Sequence, residues 1–348
     1  EEKRLAVSIQ AIACTKTLTL TLTAIGGLAS RSLVIVIVIV NVGKYNLFVI
    51  FPYVACQLQN KAVGGVTIKW NKVAGATSYR IYRRGAGVNY WYYLGDFPAT
   101  LDTFTDLETA NYFPNDAKKN KEAKPKSGNY YRYTVRASYE GQDSTGKPYT
   151  IYSGFDTEGL YLKYVATPKL KSVTNATNGI TVSWNAVNGG GSTWYRVYRR
   201  GAGSTYWYYL GATQKTSFTD TKISKANNQY YRYTVRAVAG TADSGWYSAF
   251  DTTGLFLKRL VNPVLVSAKG ASNGITVKWK PVAGTTGYYV YRKTANSGWV
   301  RVGTVGGANS TTFVDKNASR GVTYTYTVRA CYGTTLSSYN TKGVSARR

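Results

Sequence analysis

The sequence predicts an all-β chain of tandem two-sheet sandwiches behind a β-rich N-terminal element, and three observations predict it. The segment YYRYTVRA stands at 130–137 and again, unchanged, at 230–237, with TYTYTVRA at 323–330. Trp70, Trp184 and Trp279 each close a segment of the type VTIKW or ITVKW. Apolar and polar residues alternate through these segments, which is the period of a strand with one buried face. Self-similarity of this kind sets the architecture, with each copy one folding unit.

The elements follow one order in all three copies. A Pro opens each: Pro52 stands 18 residues before Trp70, while Pro168 and Pro263 stand 16 before Trp184 and Trp279. After the Trp come YRIYRR (79–84), YRVYRR (195–200) and YYVYRK (288–293), then an aromatic run around Trp91, Trp207 and Trp299. In the YYRYTVRA strand, Tyr131, Tyr133, Val135 and Ala137 alternate with Arg132, Thr134 and Arg136. Clusters such as NATNG (175–179) and KGASNG (269–274) punctuate the strands as turns. No stretch has helical periodicity. Each copy holds about seven strands in about 85 to 115 residues, the size of a two-sheet sandwich. The expected domains are an N-terminal element at 1–51 and sandwiches at 52–167, 168–262 and 263–348.

The first 51 residues obey a different grammar. TKTLTLTLTA (15–24) alternates Thr and Leu, whereas RSLVIVIVIVNV (31–42) is apolar at almost every position, as in a strand buried on both faces. A transmembrane helix over 33–51 is the rival reading, but the β-branched run and Gly43, Lys44 and Asn46 favour strands, so no membrane span is expected. Gly43 precedes Pro52 by nine residues, as Gly159 precedes Pro168 and Gly254 precedes Pro263, so 43–51 takes the last-strand slot of a preceding repeat. Left alone, such strands have open edges and apolar faces and would aggregate. Either they form a degenerate sandwich, or they pair with a neighbouring chain by strand addition and grow a filament of copies. The opening EEKR, with no basic start, single apolar block and small-residue cleavage site in that order, leads us to expect a mature product or a fragment of one.

Residues 52–348 resemble the fibronectin type III family of immunoglobulin-like sandwiches. The carriers are the second-strand Trp (Trp70, Trp184, Trp279), the Tyr-x-x-x-Val-x-Ala motif that begins at Tyr131, Tyr231 and Tyr324, and the opening Pro. The resemblance implies that the Trp anchors the core between the sheets and that the Tyr is a tyrosine corner tied to a loop backbone. SGWYSAF (244–250) resembles the aromatic and Ser run that completes Arg–aromatic ladders in related receptor domains. In style the copies also look like the Tyr-rich modules of secreted or wall-bound proteins of Gram-positive bacteria.

Composition points to an extracellular or cell-surface home: there is no His and no Met, Tyr reaches 32 residues, and Cys occurs only at 14, 56 and 331. The odd Cys count leaves three free thiols or one pair, of which Cys14 with Cys56 is the pair to test. Net charge is +28, and from residue 52 onward 39 Lys and Arg face 14 Asp and Glu. Such a field favours polyanions: teichoic acid, acidic glycan or anionic membrane, with nucleic acid the least favoured. The outward face of one sheet interleaves Arg with aromatics: Arg80, Tyr82 and Arg84; Arg132 and Arg136; Trp91 and Tyr93, with Trp207 and Tyr209 in the second copy. One reading is a ladder of guanidinium groups stacked on rings. The other is a polyanion or glycan platform, joined by Lys118, Lys119 and Lys121 in an insertion at 107–129 that only the first sandwich carries. A second insertion lies at 141–151.

Catalysis finds little support. Without His there is no Ser-His or Cys-His pair and the commonest metal ligand is missing, so no catalytic, cofactor-binding or metal site is expected. Asp106, Asp220 and Asp315, with Asp156 and Asp251, stand at strand-to-turn junctions, where Asp bonds local backbone. The expected role is a non-catalytic structural or adhesive protein of a bacterial surface, a fibre subunit joined to copies of itself through its N-terminal strands. The alternative is a polyanion- or glycan-binding module region of a larger wall-associated enzyme.

Overall fold

A computed structural model describes residues 17–22, 33–42, 45–51, 54–59, 63–110, 115, 124–223 and 226–348, with backbone alone for 17–51 and 58–59. It divides into two compact units, Glu1–Tyr164 and Val165–Arg348.

The first unit begins with an antiparallel sheet of β1 (Thr17–Leu22), β2 (Leu33–Val42) and β3 (Tyr45–Phe51) in the order β1-β2-β3. Leu33–Val42 and Tyr45–Phe51 are therefore strands, and among the described residues no helix is long and apolar enough to cross a membrane. Two sheets follow. One contains β4 (Cys56–Gln59), β5 (Gly65–Trp70) and β8 (Thr103–Leu107) in the order β4-β5-β8. The other contains β6 (Ser78–Gly85), β7 (Tyr92–Pro98), β9 (Tyr130–Gln142), β10 (Pro148–Tyr152) and β11 (Leu160–Lys163). Its order is β10-β9-β6-β7, and β11 also pairs with β9.

The second unit repeats this arrangement twice. Its first three-stranded sheet joins β12 (Leu170–Ala176), β13 (Gly179–Trp184) and β16 (Ser217–Asp220), the last followed by a 3-10 turn at Thr221–Ile223. Facing it are β14 (Thr193–Gly201), β15 (Tyr208–Thr213), β17 (Tyr230–Gly240), β18 (Gly245–Tyr247) and β19 (Leu255–Lys258). The last sandwich pairs β20 (Leu265–Ala271), β21 (Gly274–Trp279) and β24 (Thr312–Asp315) with β22 (Gly287–Lys293), β23 (Val300–Gly306), β25 (Thr323–Tyr332), β26 (Thr335–Leu336) and β27 (Val344–Arg347).

Period-two alternation explains what lies between the sheets. Trp70, Trp184 and Trp279 are 2 to 3% exposed, and each packs on the first Tyr of the next strand, Tyr79, Tyr195 or Tyr288, with ring centroids 5.3 to 5.4 Å apart. The hydroxyls of these three Tyr accept the N–H of Val73, Val187 and Val282 at 2.7 to 2.9 Å. Tyr131 accepts Lys126 N–H at 2.8 Å and Tyr324 accepts Ser319 N–H at 3.4 Å, the loop tie that the tyrosine-corner resemblance implies.

A bulge sits at one place in every five-stranded sheet, between Ile81 and Tyr82, Val197 and Tyr198, and Val290 and Tyr291. Opposite stand Gly95 (φ +146°), Gly211 (φ +150°) and Gly303; a Cβ on Gly303 would meet the Phe313 ring at 2.2 Å. Past the bulge, β6 keeps its alternation along β9, so Tyr79, Ile81 and Arg83 face in while Arg80, Tyr82 and Arg84 face out. That split builds the site.

Within the second unit the two sandwiches are joined by hydrogen bonds. Asn175, which also bonds Lys258 O within its own sandwich (3.0 Å), donates across to Leu336 O (3.1 Å), Lys258 Nζ donates to Gly284 O (2.9 Å), and Asn227 to Ala283 O (3.0 Å). Arg259 is fully buried beneath this joint and donates to Ala176 O and Leu260 O, each at 3.0 Å; burial lowers its pKa from the usual guanidinium range.

Candidate functional site

The outer face of each five-stranded sheet carries a row of cations laid over aromatic rings. In the first sandwich Arg80 lies 5.3 Å from the Tyr93 centroid and 4.6 Å from Tyr152. Arg136 lies 4.9 Å from Tyr152, Arg84 lies 4.8 Å from Trp91, and Arg132 lies 5.0 Å from Tyr161. The second sandwich repeats it: Arg196 on Tyr209 (5.1 Å), Arg236 on Tyr247 (4.7 Å), Arg200 on Trp207 (4.8 Å) and Arg232 on Phe256 (5.2 Å). In the third the row thins to Arg301 on Tyr289, Lys293 on Trp299 and Arg329 on Tyr339.

A serine closes each row. Arg136, Arg236 and Arg329 donate Nε–H to the carbonyls of Ser153, Ser248 and Ser337 at 2.7 to 2.8 Å, and each Ser hydroxyl accepts an N–H from the facing strand at 2.9 Å. The SGWYSAF segment supplies Tyr247, Ser248 and Phe250 to this arrangement. Asp96 pairs with Arg80 at 2.7 Å and raises its pKa, while burial and then the Asp96 carboxylate push the Tyr93 phenol up to about 12. Burial lowers the pKa of Arg236, but a guanidinium stays charged at any working pH. Each cation–ring contact contributes roughly 0.5 to 1 kcal/mol at an exposed position. These side chains are engaged with one another.

On the inner face lies a cluster that sequence reasoning missed. Arg83, Arg199 and Arg292 donate Nη1–H to Oδ2 of Asp106, Asp220 and Asp315, the last two at 2.7 Å. The same oxygens accept the hydroxyls of Tyr133, Tyr233 and Tyr326 at 2.7 to 2.9 Å. All three Asp are buried, and Arg83 is 2% exposed. Burial first, and then the neighbouring Asp carboxylate through its charge and hydrogen bond, push the three phenols well above their ordinary range. The expectation that these Asp bond local backbone holds for one oxygen only: Oδ1 of Asp220 and Asp315 accepts Lys222 N–H and Asn317 N–H at 3.1 Å. The other oxygen enters the core because the first residue of each basic doublet, Arg83, Arg199 or Arg292, faces inward. Asp156 and Asp251 do bond local backbone, at 3.0 and 2.8 Å. The signals available were the recurring Arg doublet and the Asp of FTD, FTD and FVD, read together.

The structure brings Trp91, Tyr93, Trp207 and Tyr209 into the ladders. Lys118, Lys119 and Lys121 lie outside the described residues, as does Cys14. Cys56 is a free thiol that donates to Val54 O at 3.3 Å, and burial pushes it up to about 12; Cys331 is free and buried. Tyr231 lies half-buried against the second core. A concavity of about 260 Å³ opens between the turn at Gly85–Asn89 and Tyr130, Arg132 and Tyr161, but Tyr161 already stacks on Tyr130 at 5.1 Å. Among the described residues no three His, Cys, Asp or Glu gather as a metal-ligand set.

No family model and no curated protein matches this sequence. Among solved structures, a crystal structure of the chicken CNTN1 FN1-FN3 domains aligns with 84% of this chain and 98% of its own, at 15% identity and a TM-score of 0.28. Strand order and the Trp core carry the assignment. The chain is an all-β tandem of two-sheet sandwiches. The printed contacts of the inner cluster and of the outer ladder lie within the sandwich that bears them.

Proposed function

We propose that this chain is a non-catalytic structural and adhesive protein of the extracellular bacterial surface, a fibre subunit joined to copies of itself through its N-terminal strands. The observation that carries this reading is the sheet order β1-β2-β3, in which, among the described residues, β1 and β3 are both edges of a three-stranded sheet. An open edge offers a row of backbone donors and acceptors to another strand. Strand addition between copies in one direction does not close, and it grows a filament. The division into 1–51, 52–167, 168–262 and 263–348 and the kinship with Tyr-rich Gram-positive modules belong to the same proposal. Native mass measurement with electron microscopy tests it: filaments or ladders of oligomers that vanish when residues 1–51 are removed support it, and monomers with an ordered N-terminus overturn it.

A second reading, a polyanion- or glycan-binding module region of a larger wall-associated enzyme, is favoured by the net charge of +28. The cations rather than the ladder rings would carry it, since the rings already hold guanidinium groups. Salt-sensitive retention of the whole chain on an anionic polymer tests that reading.

A further inference from the structure

Charge is spread unevenly along the three sandwiches. Residues 52–167 hold 15 Lys and Arg against 10 Asp and Glu, 168–262 hold 12 against 3, and 263–348 hold 12 against Asp315 alone. Asp315 is 3% exposed and bonded to Arg292 and Tyr326, so the third sandwich has no side-chain carboxylate on its surface.

The excess has a place. In β21, Ile275, Val277 and Trp279 face the core, so Thr276 and Lys278 face out, with Lys280 next on that side. On the neighbouring strand Lys269 stands opposite Thr276, and Ser267 opposite Lys278. On the other side Thr312 stands opposite Lys278. Lys269, Lys278 and Lys280 are all exposed. Residues two apart on a strand are about 7 Å apart, so Lys278 and Lys280 form a row with hydroxyls beside it. The same positions in the second sandwich are Thr174, Ser183 and Asn185, and no charge stands there. In the first they are Gln59, Lys69 and Asn71, where Lys69 meets Asp102 at 3.7 Å. At these three positions only the third sandwich carries cations with no carboxylate partner among the described residues.

We propose that the outer face of the β20-β21-β24 sheet is a docking surface for a linear polyanion, with Lys269, Lys278 and Lys280 pairing with successive phosphate or sulfate groups and the hydroxyls of Ser267, Thr276 and Thr312 donating between them. This rests on the polyanion reading above and deepens it. Phosphate and sulfate polymers share the chemistry, and two probes separate them.

The test measures affinity of the full chain for inorganic polyphosphate and for heparin across a salt series. Three proteins are compared: the natural chain, K269Q/K278Q/K280Q, and a charge-matched control, K169Q/K171Q/K215Q, whose lysines are exposed on the second sandwich. Thermal unfolding verifies that both variants fold. Each lost contact flattens the slope of log affinity against log salt by about 0.7 to 0.9, so the first variant is expected to flatten it by about 2 to 3 while the control does not. The probe that shows this effect names the anionic group. Equal losses in both variants would reduce the effect to net charge and overturn the docking surface while leaving the polyanion reading standing. Absence of binding by the natural chain would overturn both.

Discussion

Arg83 and Arg84 are neighbours in sequence and belong to opposite faces of one strand. The inner position is Arg in all three sandwiches, Arg83, Arg199 and Arg292, and each reaches a buried Asp while lying 4.5 to 5.5 Å from a Tyr ring. The outer position is Arg84, Arg200 and Lys293, each 4.8 to 4.9 Å from a Trp ring. A buried carboxylate beside an aromatic wall requires a flat guanidinium, because an ammonium cannot lie along a ring and donate sideways at once. A ring open to solvent requires only a cation within reach, which Lys293 supplies. The same residue type therefore does two jobs, and burial separates them.

The inner position should give the largest effect. Arg83→Met leaves the Asp106 carboxylate buried without its guanidinium counter-charge, while the Tyr133 hydroxyl still donates to it, and about 3 to 5 kcal/mol of first-sandwich stability is expected to go. Because several domains unfold in one chain, hydrogen exchange of the 130–142 strand is the measurement, and R83M/D106N should recover part of the loss. Next, Tyr233→Phe removes a hydroxyl that donates to Asp220 at 2.9 Å, with about 1.5 to 3 kcal/mol expected in exchange protection of 230–240. The pH dependence follows from the same phenols. Their folded pKa values lie above the unfolded value, so their contribution is whole below pH of about 10 and is lost as pH rises from there through the folded values. Urea midpoints should therefore fall on the alkaline side of that pH, and less steeply in the Tyr233→Phe chain. The outer position gives the smallest effect: Arg84→Ala is expected to cost about 0.5 to 1 kcal/mol, shrinking with added salt. An Arg84→Ala loss as large as that of Arg83→Met would erase the distinction.

Much of this was legible before any coordinates, for physical reasons. Alternation placed Trp70, Trp184 and Trp279 in the core and Arg132 and Arg136 outside, since a strand has only two faces. The ladder was legible as one of two readings because Arg and aromatics shared a parity across adjacent strands. Arg83 was not, because a charged residue in a core is the exception to burial rules and its partner Asp106 stands 23 residues away. Nor was the distinct character of the third sandwich evident while charge was counted over the whole of 52–348. It emerged when strand pairing set Lys269, Lys278 and Lys280 on one face.

The most direct test is the double variant W91A/W207A, which removes the ring under the outer cation in two sandwiches. If the outer row serves its own sheet, affinity for heparin and polyphosphate stays within twofold of the natural chain while exchange protection of 130–142 and 230–240 drops modestly. Loss of affinity with protection unchanged would make those rings a ligand platform and contradict the account.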